Sequence, residues 1–447
     1  MIKDTIQLSD HFDYKRLLRY SFPTMLMMVF TSIYGVVDGL FVSNVVGKNA
    51  FAAINMIIPA LMILGGFGTM FGTGGTALVA KTLGEKNDVL ANRYFSMMIE
   101  VTIVIGAIFS VVGYIFMPSI VDILGVSEAI RDDAIVYGQV CILFMVPMEL
   151  QYVFQSFMTA AEKPKLGLMI TLIAGFSNML LDALFIGGLK LGVAGAALAT
   201  GFSQSIGGIL PLLYFCKKND SLLQFALTPI KFPAVWQAAF NGMSELMTNA
   251  ASSIVSMVYN IQLMKYAGEN GVAAYGVLMY VMFIFIAILF GYTMGTSPII
   301  SYHYGAGNKK ELNNLLKRSM KLEYLGGILM FMISQLLARP ISMIFVGYDA
   351  ELLELTVSAF RIFLFVFILA GGNIFASAFF TALNNGPISA AISFLRSIVF
   401  ELLAVLFLPL VLGLKGIWCA VAIAEFAACF VSWTLLLTRN RKYGYLK

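Results

Sequence analysis

The sequence predicts an all-α integral membrane protein with twelve transmembrane helices arranged as two parallel six-helix repeats. Three observations carry that prediction. Of 447 residues, 60% are hydrophobic and 12% charged, with a mean hydropathy of +0.87, far from the average of a soluble domain. Apolar stretches long enough to cross a bilayer, about 20 residues each, recur twelve times along the chain. The two halves also repeat one another at a nearly constant offset.

The chain opens with a polar, basic segment, residues 1–13, and the apolar run that follows lacks a small-residue cleavage site, so no cleavable signal peptide is expected. Hydrophobic spans are expected at about 14–42, 52–81, 92–118, 133–160, 165–187 and 193–216, making an N-terminal lobe over 14–216. A linker, 217–233, carries Lys217, Lys218, Asp220, Pro229 and Pro233. A C-terminal lobe over 234–438 follows, with spans at about 234–264, 272–304, 316–339, 352–382, 387–409 and 415–438, and a tail over 439–447. Polar residues between Asn241 and Gln262 interrupt the seventh span.

Orientation follows from the 29 lysines and arginines. With both termini inside, 21 of them, from Lys3 to Lys447, fall on the cytoplasmic side. Six fall outside, namely Lys48, Arg131, Lys190, Lys265, Arg339 and Lys415, while Arg361 and Arg396 lie within spans. Cytoplasmic loops carry the basic excess, so both termini are expected in the cytoplasm and the chain in the inner (cytoplasmic) membrane, crossing it many times.

The repeat is legible in short matches. Phe51-Ala-Ala answers Val272-Ala-Ala, and Gly68-xxx-Gly72 answers Gly291-xxx-Gly295. Gly84 answers Gly307, Glu100 answers Glu323, Phe157-Met-Thr-Ala answers Phe379-Phe-Thr-Ala, and Leu191-Gly-Val-Ala-Gly answers Leu412-Gly-Leu-Lys-Gly. Six spans per repeat leave both halves in one orientation, related by an axis along the membrane normal, with a cavity expected between them.

Within Asn178 to Thr200, Asn178 and Asp182 stand four apart and share one helix face. A charge at the bilayer centre costs about 2.5 to 3.5 kcal/mol, so a polar partner must face them. Two nearby acids in a low dielectric tend to hold one proton between them. Other charges in spans are Glu100, Glu149, Glu245, Glu323, Arg361, Arg396, Glu401 and Glu425. Arg396 is expected to form a structural ion pair, with Glu401 or with a neighbouring helix. Glu149, beside Pro147, is kept as a substrate-contact candidate.

Asp38-Gly-Leu-Phe-Val-Ser, the Asn178 to Thr200 block and the two-lobe repeat together resemble the multidrug and toxic compound extrusion (MATE) transporters, most similar to their MepA-like branch. The resemblance implies a V-shaped bundle working as a cation-coupled antiporter by alternating access. It carries the family's cation site onto Asp38, Asn178, Asp182 and Thr200, hard oxygen ligands for H+ or Na+. Pro23 becomes a candidate hinge, since an interior proline weakens the helix there. An acid of the C-terminal lobe maps to Glu245, a substrate or second coupling site. The aspartate that some members carry in the tenth span is absent here, and Asn373 is the nearest polar group.

Other classes lack their motifs. Cys141, Cys216, Cys419 and Cys429 are scattered, and with only two histidines neither disulfides nor zinc are expected. No phosphate-binding Gly-rich loop occurs, so no nucleotide drives the protein. A membrane-embedded lipid-modifying enzyme would need a motif that is not found. A flippase for lipid-linked oligosaccharide would line its cavity with several arginines, so cationic cargo is favoured. The many methionines and phenylalanines, where they reach the cavity, suit varied apolar ligands. The expected partners are small amphiphilic cations and membrane lipid, not nucleic acid, for a monomer without a cofactor.

Overall fold

The computed structural model describes residues 6–446, apart from the side chains of Val36, Leu40 and Lys48. Residues 1–5, with Lys3, and Lys447 lie outside the described residues. Ten helices among those described are long and apolar enough to cross a bilayer, and one bent pair makes an eleventh. The twelfth comes from a 74-residue helix that Gly268, at φ 60° and ψ −152°, divides in two. Unbroken, that helix would run about 110 Å, several times the hydrocarbon thickness.

The spans are α1 (Tyr14–Phe41), α2 (Lys48–Gly84), α3 (Asp88–Ile123) and α4, which bends by 59° between Glu128–Leu143 and Met145–Ala160. Then come α5 (Pro164–Asp182), α6 (Gly192–Cys216), α7 (232–267) and α8 (269–305). The last four are α9 (Lys309–Val346), α10 (Ala350–Phe363 and Phe367–Ala382), α11 (Gly386–Phe394 and Glu401–Leu412) and α12 (Leu414–Tyr443). Each matches its expected span and most extend beyond it. Polar caps start several of them outside the apolar run: Asn87 accepts the Leu90 N–H at 3.1 Å and Asn308 the Glu311 N–H at 3.0 Å.

The repeat is visible in the backbone. Left-handed residues punctuate both halves at Gly47 and Gly268, Lys86 and Gly307, Gly192 and Gly413, each pair 221 apart. The break in α4 at 143–145 recurs at 364–366 in α10. This register corrects three of the sequence matches. Gly84 pairs structurally with Gly305, Gly291-xxx-Gly295 corresponds to Met70 and Gly74, and Glu323 corresponds to Thr102. The two Gly-xxx-Gly motifs therefore serve different contacts. Gly68 and Gly72 let α2 approach the α4 backbone at Glu149 and Tyr152, whereas Gly291 and Gly295 let α8 approach α1 at Met25 and Ser21. Sequence alignment slipped by two because both glycine rows serve close helix contacts.

Both ends of the described chain lie on one face, and there the bundles close. Glycines bring backbones together across the seam: Gly74 against the Ala238 carbonyl, Gly242 against that of Met70, Gly84 against that of Tyr302 and Gly305 against that of Lys81. Asn384 Nδ2 donates across the seam to the Ala77 carbonyl at 3.1 Å. Residues 6–13 lie over this face as a strap. The Leu8 N–H donates to Glu162 at 2.6 Å on one bundle, while on the other Glu311 meets His11 at 2.7 Å and accepts the Phe12 N–H at 3.0 Å. Leu8 and Phe12 are buried in the hydrophobic cluster of α8, α9 and α10.

The linker is pinned rather than loose. Gln224, Ala226 and Thr228 donate their backbone N–H groups to Asn92, Ser96 and Glu100 of α3, at 2.6, 3.0 and 2.9 Å. Two residues of extended chain advance about 6.6 Å and four of helix about 6 Å, so the two periods mesh. Glu100, an intramembrane charge in the sequence reading, is an anchor for this segment.

Candidate functional site

In the first bundle α5 sets Asn178 and Asp182 one turn apart on its buried face, 1% and 0% exposed. The helix then widens into a π-helical turn, Ala183–Gly188, and α1 does the same at Val42–Val46, just past Asp38. Such turns recur at functional sites. The Asp38 and Asp182 carboxyls face each other within hydrogen-bonding reach. Asp38 Oδ1, both Asp182 oxygens, both polar atoms of Asn178 and Thr200 Oγ1 are buried with no hydrogen-bond partner. Buried polar atoms are nearly always satisfied. This set fits a proton shared by the carboxyls, or a sodium ion held by hard oxygens. Among the described residues no group of three or more His, Cys, Asp or Glu is placed to hold a metal.

The second bundle is built otherwise. Asn373 on α10 is buried and donates to Glu425 Oε2 at 2.7 Å and to the Glu425 carbonyl at 2.9 Å. Glu425 also receives Arg396 Nε at 2.7 Å. The ion pair expected of Arg396 is therefore made with α12, not with Glu401. Glu245 stands elsewhere, on α7 at the floor between the bundles, in a cavity of about 20 Å³ that Thr73, Thr76 and Ser156 of the first bundle also line. Asn373 does not line that cavity, but Arg396, paired with the Glu425 that Asn373 holds, lies within electrostatic reach of Glu245.

Glu149 is fully buried, and neither carboxyl oxygen has a partner. It sits between Gly68 of α2 and Gly106 of α3, so this substrate-contact candidate points its side chain into the bundle and lines neither the cavity at Glu245 nor the cleft above it. Pro23 is buried in an unbroken α1, beside the stretch packed on Gly291 and Gly295.

Above Glu245, on the face opposite the termini, the bundles part around a cleft of about 890 Å³ between α2 and α7. Met56, Met62, Met257 and Met264 line it together with Asn55, Asn249 and several serines, and none of its lining residues is charged. Sequence reasoning missed Tyr34, Tyr137 and Cys141, which lie within electrostatic reach of Asp38. Tyr34 stands four residues before Asp38 on one face of α1, a spacing that marks it; Tyr137 and Cys141 converge from α4 only in the fold.

Twelve membrane-spanning helices in two like bundles, with a neutral cleft between them and buried carboxylates beneath and beside it, define a membrane transporter. The family model MatE matches residues 23–184 and again residues 246–406, and the chain belongs to that family of transporters, which are not enzymes. It is 27% identical over 305 residues to the multidrug export protein MepA of Staphylococcus haemolyticus, covering 68% of this chain and 67% of that one. It is 24% identical over 417 residues to MepA of Staphylococcus aureus, covering 92% and 91%. A solved outward-facing multidrug resistance MATE family transporter shares the fold, with a TM-score of 0.92 at 20% identity over 99% of both chains.

Proposed function

We propose that the protein is a secondary antiporter that exports amphiphilic, mainly cationic compounds in exchange for inward H+ or Na+ by alternating access. The observation that carries this reading is the facing pair Asp38 and Asp182, with the unpartnered polar atoms of Asn178 one turn before Asp182 on α5. Two carboxyls that share one proton can load it from one side and release it to the other, and a sodium ion can take the same place. The methionine-rich cleft suits varied apolar cargo, and the relatives named multidrug export proteins support the cargo class. Arg396 is neutralised by Glu425 and no arginine lines the cleft, which weighs against an anionic lipid-linked sugar as cargo.

In this reading the face carrying the termini is cytoplasmic, the membrane is the inner one, and the chain works as a monomer with Pro23 as its hinge. The two lobes, 14–216 and 234–438, rock about the seam. Efflux of a fluorescent cation from proteoliposomes, driven in turn by a pH gradient and by a sodium gradient, tests it. One gradient should drive export; if neither moves the cation, the reading falls.

A further inference from the structure

The 221-residue register sets one face of α3 in correspondence with one face of α9. Leu90, Arg93, Tyr94 and Met97 form a single stripe on α3, and their counterparts on α9 are Glu311, Asn314, Leu315 and Arg318. On α9 the strap fills that stripe: Glu311 accepts the Phe12 N–H at 3.0 Å, and Asn314 and Arg318 donate to the Phe12 carbonyl at 2.9 and 2.6 Å. On α3 the same stripe lines an open groove of about 290 Å³, whose other wall is the linker at 227–229 and Lys231. The charge differs as well. Where α9 has Glu311, α3 has Leu90, and the charged groups of the groove are Arg93 and Lys231. Their side chains make no hydrogen bond or ion pair among the described residues. Asp88 shares an adjoining groove with Arg93 and is not bonded to it.

The rim of the groove is apolar and open. Leu227 is 86% exposed, Phe232 80% and Trp236 67%, and the Trp236 ring lies 4.8 Å from that of Phe240, one turn further along α7. The groove lies on the termini face, where α3 and α7 both begin, and tryptophans gather at that depth of a bilayer, beside the headgroups. Two unpaired cations rimmed by apolar side chains recognise an amphiphilic anion, whereas a free phosphate has no use for Leu227, Phe232 and Trp236. We propose that this groove binds the headgroup of an anionic phospholipid. Arg93 forks onto the phosphate, Lys231 meets it as a point charge, and the acyl chains lie along Phe232 and Trp236. Basic pockets at the ends of membrane helices hold phospholipid headgroups by this chemistry. The lipid thus occupies on the first bundle the slot that the strap occupies on the second, whatever cargo the protein carries.

The test places the full-length protein in phosphatidylcholine bilayers doped with phospholipids brominated on their acyl chains, which quench a tryptophan they touch. The Trp236 signal is the difference between the wild type and Trp236→Phe. Brominated phosphatidylglycerol should quench it at a mole fraction about tenfold lower than brominated phosphatidylcholine, the scale that two basic residues near an anionic surface set. Arg93→Gln and Lys231→Gln should each cut that preference about threefold or more, the double variant should abolish it, and Lys231→Arg should keep it. Lys165→Gln, which removes an exposed charge from the same face of the first bundle, should leave it unchanged, as should inorganic phosphate added at constant ionic strength. Equal quenching by the two lipids overturns the proposal, as does a preference that survives the double variant or falls as far in Lys165→Gln. A preference erased by inorganic phosphate overturns the lipid as occupant and leaves a site for a free anion.

Discussion

Gly84 and Gly305, 221 residues apart, are mirror partners at the closed seam: a methyl on Gly84 would run into the Tyr302 carbonyl, and one on Gly305 into the Lys81 carbonyl. Each glycine rests three residues from the carbonyl that receives the other. Gly84→Ala and Gly305→Ala should accordingly weaken closure of the termini face by similar amounts, about 1 to 3 kcal/mol each, as overpacking does. Inter-bundle distance measurements check this. A large effect at one position and none at the other would break the symmetry argument.

Asp38→Asn and Asp182→Asn should each abolish coupled efflux while the protein still inserts, because the amide keeps the shape and removes titration. Efflux assays beside membrane quantification decide the matter; wild-type transport by both variants would reject the site.

Glu245 faces the floor of the cleft from the cavity between the bundles. Glu245→Gln should weaken binding of cationic cargo more than of neutral cargo. If Glu245 also carries a second charge inward, wild-type exchange is electrogenic and the variant electroneutral. The membrane potential is worth about 2.3 kcal/mol per charge per 100 mV, so clamping it to zero at a fixed pH gradient should lower cation accumulation in the wild type alone.

The pair between Arg396 and Glu425 is buried, with Asn373 completing it. Arg396→Met leaves an uncompensated carboxylate and should cost about 3 to 5 kcal/mol, most of which Arg396→Met with Glu425→Gln recovers. Thermal melting in detergent measures both. Equal losses in the single and double variants would show that packing, not charge, is at stake.

The strap should respond to pH through Glu162, in the loop between α4 and α5. Burial raises its carboxyl above the ordinary range, opposed by the Leu8 N–H bond and by Lys163. A raised folded value means that the docked state holds the proton more tightly than the free one. Docking is then strongest below the ordinary carboxylate range and weakens as pH rises through the raised value. Hydrogen exchange at Leu8, corrected for intrinsic rates, should show a fall in protection with rising pH in the wild type that Glu162→Gln removes, while His11 and Phe12, held by Glu311, keep their own response in both.

Much of this was legible in the sequence because the bilayer imposes length. Twelve apolar runs gave twelve helices, and the spacing of Asn178 and Asp182 set both on one buried face. What the sequence hid is what periodicity does not encode. The π-helical turns after Asp38 and Asp182 leave no compositional trace. Arg396 finds Glu425 from another helix 29 residues away, although Glu401 is nearer in the chain. Glu149 shows the limit of inferring a side chain's direction from its span, since a helix has as many faces turned inward as toward a cavity.

The linker carries one further implication. Because its backbone is laced to α3 through Thr228, with the Lys231 N–H on Met97 Sδ at 3.4 Å, the slack between the bundles is at most the three residues before Phe232, where α7 begins, about 10 Å at full stretch. A leash that short fixes a fulcrum near the membrane surface. In the proposed rocking the bundles tilt against one another without drifting apart, so the same covalent geometry that lets the seam open also returns it to register.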